Sequence, residues 1–200
     1  MTARGRRLAL AALLLGALAL VGSGCAYTRY QTETKRSATE QLLLTQSIER
    51  AVSLVALPKV KRRAVHVTTI SLAPEEAAYL RVELEAKLRL AGAEIVSADE
   101  AEIYIDALVA ASGTVARRLS FGVPPLPTPF GTTPGLPFLR ILKQRGYTRL
   151  SLVVREADGA SVSRSEPVMA RAHFDLFGLL FLAVRHNSIY PGEGFSIGLD

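Results

Sequence analysis

The chain has 200 residues, with 24 Lys and Arg against 18 Asp and Glu, no Trp, and a single cysteine, Cys25. One thiol excludes an internal disulfide framework and any multi-cysteine zinc module. The surplus of +6 falls to +3 once Arg4, Arg6 and Arg7 are set aside, so the basic balance does not describe a nucleic-acid binder, which needs a basic stripe with interleaved aromatics.

Residues 1–24 read as a signal peptide. Three arginines lead, then fourteen Leu, Ala, Val and Gly residues from Leu8 to Val21, then Gly22, Ser23 and Gly24. Basic, apolar and small-residue segments in that order are the layout of an export signal. A spanning anchor needs about 20 apolar residues, and the last five of the uncharged run to Ala26 are mostly Gly, Ser and Cys. "GSGC" resembles the bacterial lipobox, with Gly22 where Leu is usual. In an oxidising compartment a lone thiol has no internal partner, and thioether lipidation of Cys25 accounts for both the residue and its place. More than one acyl chain gives stable membrane residence. Residue 26 is Ala rather than Asp, which points to the outer membrane, facing the periplasm.

Residues 25–36 are a lipidated tether, polar and without periodicity, with a reach of roughly 20 Å as a flexible coil. Residues 37–200 fit one domain. Ser37 and Glu40 form a capping box, and Leu44, Ile48, Val52 and Val55 then share a helix face, widened by Leu42 and Leu43 and ended by Pro58. The run Lys59, Lys61, Arg62, Arg63 precedes a strand over 64–72; its alternatives are a solvated turn and contact with anionic lipid heads. Pro74, Glu75 and Glu76 suit a helix first turn. Leu80, Leu84, Leu88 and Ala91 make its stripe and Gly92 its stop. A second strand covers 101–110, and strand, helix and strand make the two strands parallel.

Residues 121–138 hold six of the ten prolines, which excludes helix interior and central strand. They read as a long Pro-rich insertion between strands. Phe121, Leu126, Phe130, Leu136 and Phe138 make it more apolar than a surface connection usually is. They either cover the sheet or form a docking surface for a protein or lipid. A hairpin follows, turning at Asp158-Gly159. "FDLFGLLFLAV", residues 174–184, is too short to span a bilayer as a helix and reads as one buried strand or an exposed binding strip. The sum is an α/β, two-layer α+β fold: a mixed sheet of about four strands with two helices on one face.

His66, His173 and His186 are scattered. His173 and Asp175 share a strand face, yet a zinc site needs a third protein ligand, and none stands nearby in sequence, so no metal and no cofactor is expected. No nucleophile elbow, phosphate loop or dinucleotide glycine pattern occurs, and no catalytic residue is expected.

"ATEQLLL", residues 38–44, with the preceding Thr/Arg-rich stretch, resembles a family of uncharacterised bacterial lipoproteins in which a "TATEQLLL"-like helix follows the lipidated cysteine. The resemblance implies an envelope location and no activity. The expected function is a non-enzymatic assembly or scaffold lipoprotein that binds an envelope protein. An apolar-ligand carrier is the alternative and a hydrolase with a dispersed site the third. Neither a nucleic acid nor any cofactor is among the expected partners.

Overall fold

A computed structural model of the chain describes residues 36–72, 74–123, 127–129, 131–132, 136–159, 161–180, 182–190 and 195–199. The signal segment 1–24, Cys25 and the tether up to residue 35 lie outside the described residues.

Helix α1, Ala38–Leu54, begins where the capping box predicts. The Glu40 amide donates to the Ser37 hydroxyl at 3.3 Å and the Ser37 amide to the Glu40 carboxylate at 2.9 Å. Leu43, Leu44, Ile48, Ala51 and Val52 are buried, whereas Leu42 lies off the stripe and is partly exposed. The helix stops four residues before Pro58. Its last turn has no basic residue of its own. The carbonyls there are met from another element: Lys87 Nζ donates to Val52 and Val55 at 2.7 Å and to Ser53 at 3.1 Å. A helix leaves its final carbonyls without internal partners, and burial beside them pushes the Lys87 ammonium below its ordinary pKa. Lys87→Met keeps the stem and removes the donors. The substitution is expected to destabilise by about 1–2 kcal/mol, read as a lower urea midpoint with an unchanged slope.

Strand β1, Ala64–Ser71, leads to helix α2, Pro74–Leu90, which ends at Gly92 with φ 88°. Leu80, Leu84 and Leu88 are its buried stripe; Ala91 is exposed, beyond the last turn. The short β2, Glu94–Ile95, and the start of β3, Ile103–Val123, both pair with β1 in parallel, as a crossover unit requires. The basic run sits in the turn before β1, where Arg63 pairs with Glu102 at 2.6 Å.

The sheet is larger than the four strands expected. After β3 come β4, Pro127–Thr128, and β5, Gly131–Thr132, which pair with each other. Then follow β6, Leu136–Glu156; β7, Val162–Arg164; β8, Val168–Leu179; β9, Leu182–Asn187; and β10, Phe195–Leu199. The mixed sheet runs β10-β9-β8-β6-β3-β1-β2, with β7 pairing β6. Asp158 and Gly159 lie in the expected turn between β6 and β7, with Gly159 at φ 71°.

Two irregularities hid these strands. A bulge between Val109 and Ala111 leaves Ala110 unpaired, and an extra residue exchanges the faces of everything beyond it. Alternation therefore breaks at 110 although the strand continues to Val123. The segment 174–184 is not one strand but the end of β8 and the start of β9, which pair with each other. Their turn includes Leu180 at φ 52°, and it carries none of the residues that mark turns.

Both flanks of the Pro-rich stretch belong to one long hairpin; residues 124–126, 130 and 133–135 lie outside the described residues. β3 and β6 stay paired as far as Val123 and Leu136. A register shift at Phe121/Gly122 sets Gly122 opposite Pro137 and leaves Phe138 outside the ladder. Proline is tolerated in a sheet at such irregularities.

Both helices pack on one face. Val65, Val67, Ile103, Ile105, Ala107, Val109, Leu150 and Leu152 meet Ile48, Ala51, Val52, Leu80, Leu84 and Leu88 in one core. A second, smaller core joins Leu43 to Leu142, Ala172, Phe174, Leu176 and Ile189. Between them α1 lies directly on β6, with Ser47 Oγ 2.7 Å from Thr148 Oγ1 and both residues fully buried.

Candidate functional site

The face opposite the helices carries the candidate site. Residues directly opposite in neighbouring strands point to the same side of a sheet, so the pairing registers define rows across it. One row is Leu119, Ile141, Phe177, Val184 and Ile197, running through β3, β6, β8, β9 and β10. Beside it run Phe121, Leu139, Leu179 and Leu182. Every member of both rows is apolar. Leu119, Phe121, Leu139, Phe177, Leu179, Leu182 and Ile197 are between 37% and 66% exposed, and Ile141 and Val184 are half-buried.

The next row inward changes character: Arg117, Lys143, Asp175 and His186 stand opposite one another. Lys143 Nζ lies 5.7 Å from the centre of the Phe177 ring, a cation held over an aromatic face. One row further in, Arg145 takes the Asp175 carboxylate with both terminal nitrogens, at 2.6 and 3.0 Å. That forked bond holds the guanidinium pKa above its ordinary value. The rings of His173 and His186 stack at a tilt, 4.8 Å apart, and the buried His173 Nε2 has no hydrogen-bond partner.

His173 and Asp175 therefore do share a face, with His186 beside them. Asp175 is engaged by Arg145, and among the described residues no three or more His, Cys, Asp or Glu side chains are placed to hold a metal ion. The polar patch instead has a titration signature. Burial first, then the charges of His186 and Arg145, lower the His173 pKa from 6.5; Asp175 opposes and Arg50 adds to the shift. The unfolded chain then binds a proton that the fold resists. Stability is complete above about pH 6.5 and falls as pH drops through that value toward the lowered one. Urea midpoints measured on either side of pH 6.5 are expected to show this fall, reduced in His173→Gln.

Of the residues singled out from the sequence, Phe121 lies in the second apolar row. Phe138 is exposed beside it at the register shift. The backbone of Leu136 pairs with Val123 at the end of the ladder. Leu126, Phe130 and Cys25 lie outside the described residues. Phe177, Leu179, Leu182 and Val184 belong to the segment 174–184, read from the sequence as a buried strand or an exposed binding strip, whereas Leu119, Leu139, Ile141 and Ile197 were not singled out. Their signal was present: alternate positions 115, 119 and 121 are apolar, as are 139 and 141, and no charged residue occurs from 119 to 139.

Among the described residues no helix is long and apolar enough to cross a membrane. No protein-family model matches the chain, and no curated protein matches it in sequence.

Proposed function

We propose that the chain is a lipid-anchored lipoprotein of the bacterial envelope, moored through Cys25 at the periplasmic side of the outer membrane. It acts there as a non-enzymatic scaffold that engages an envelope protein through the bare side of its sheet. The observation that carries this reading is the asymmetry of the two-layer fold. One side of the sheet carries α1 and α2 over β1, β2, β3, β6 and β8, and among the described residues nothing covers the other side across five strands. Sheets of this kind ordinarily bury an apolar face or present it to a partner. Edge strand β10 offers a second route, because an open edge accepts an added strand.

A photoreactive residue at Arg171, on the bare side, is compared in cells with one at Val82, on the outer side of α2. Discrete adducts from position 171 alone support the reading; none, or equal adducts from both, would overturn it. The mass of the purified amino-terminal peptide tests the mooring, and an unmodified Cys25 sulfur counts against it. Carriage of an apolar ligand on the same rows is the second reading. It requires lipid to co-purify with the chain in native mass spectrometry.

A further inference from the structure

The two apolar rows, the charges behind them and the place where the chain enters the domain belong to one end of the molecule. We infer that this end of the bare sheet face rests on an anionic lipid surface, with the apolar rows among the acyl chains and Arg117 and Lys143 at the phosphates. The inference deepens the docking reading above by naming what the distal part of that face takes.

Size argues first. With strands about 4.8 Å apart and alternate residues about 6.8 Å apart, the two rows cover roughly 300 Å². A flat footprint of this size is smaller than a whole protein interface, so a protein that docks on the sheet draws on the inner part of this face as well. The two rows stand about 7 Å apart along the strands, a spacing within the roughly 5–10 Å immersion of an interfacial element. A spanning strand needs about 9–11 residues, so the face dips into a leaflet without crossing it.

Charge argues next. From 111 to 149 the chain has six Lys and Arg and no Asp or Glu, and from 168 to 190 two Arg and a single acid, Asp175. That one acid is held by Arg145. Within these two stretches eight basic side chains stand against one acid, and a basic band behind an apolar edge is complementary to a phosphate layer over hydrocarbon.

The entry point argues third. Leu43 lies against Gly146 and Ser47 against Thr148, while Ala51 and Val52 pack with the core that includes Leu150 and Leu152. Helix α1 thus starts toward the apolar end of β6, and Arg36, just ahead of it, pairs with Glu76 in the first turn of α2. A chain anchored at Cys25 reaches the domain at that end.

The chain has no tryptophan, so Phe177→Trp introduces a single indole in the first row and Val82→Trp one on the outer side of α2. The full lipidated protein is placed in vesicles of phosphatidylethanolamine and phosphatidylglycerol whose acyl chains carry bromine. The expected result is blue-shifted, strongly quenched emission at position 177 and none at 82. Quenching is expected to fall at least tenfold when Arg117→Glu and Lys143→Glu are added, or when the lipid is phosphatidylcholine alone. A chain that floats with the vesicles while position 177 stays unquenched overturns the inference. So does a concentration-dependent blue shift without quenching, which would mean that a second copy covers the face. If Cys25 proves unmodified, the same measurement on vesicles mixed with the chain still decides this face, because it reads depth and not mooring.

Discussion

Gly146→Ala is expected to lower the melting temperature by about 6–12 °C, the equivalent of about 3 kcal/mol in a domain of this size. Gly146 lies in β6 beneath α1, and its φ is not in the left-handed region, so space decides the outcome. A Cβ built there would stand 2.7 Å from the carbonyl carbon of Leu43 and closer still to its oxygen. The helix backbone is the obstacle, so no side chain can turn aside. α1 would have to lift from the sheet, stretching the 2.7 Å contact between Ser47 and Thr148 and loosening Leu43 from Phe174 and Leu176. The control is one strand away. Gly113 pairs directly with Tyr147, the residue after Gly146, and a Cβ at Gly113 meets nothing within 4 Å. Gly113→Ala is expected to be neutral or to stabilise by about 0.5 kcal/mol. Thermal unfolding followed by circular dichroism separates the two.

Leu84→Ala is expected to destabilise by about 3 kcal/mol. Leu84 is fully buried at the centre of the α2 stripe, in the same core as Ile105 and Leu150. Removing its branched end takes away apolar burial and leaves a cavity that neighbouring strands cannot close without breaking their ladders. Val82, two residues earlier on the outer side, is 62% exposed, and Val82→Ala is expected to change stability by less than about 0.5 kcal/mol. Urea titration of both variants measures the difference, and similar losses would mean that α2 is turned on its axis relative to the sheet.

The helical layer was legible because its signals are local. Ser37 and Glu40 mark the start of α1 within four residues, and Pro74 and Gly92 bracket α2. The leucines between them keep a spacing that survives without knowledge of their neighbours. The strands failed where the backbone departs from regularity. A reader counting alternate residues through 101–123 meets Ala110, after which the inward residues change from odd to even. The β8–β9 turn offers Leu180 where a glycine or asparagine would have announced it. Prolines at 134 and 137 argued against pairing, although Pro137 sits at a register shift that tolerates it. The candidate site was legible only in part, because Phe121 was singled out for its place in a proline-rich stretch and its row partners come from three other strands. Rows are a property of register, and register is set by long-range pairing.

The bulge at Ala110 has a meaning beyond its local geometry. Were Ala110 instead drawn into the ladder opposite Arg149, Arg118 would come to lie across from Ile141 and Ser120 across from Leu139, while Leu119 and Phe121 would swing to the helix side. The blade's greasy and wet surfaces would be scrambled with no change in overall composition. A single alanine left out of the ladder thus keeps the hairpin in phase, and its loss would let Val109 and Ala111 follow one another with every later pair unchanged.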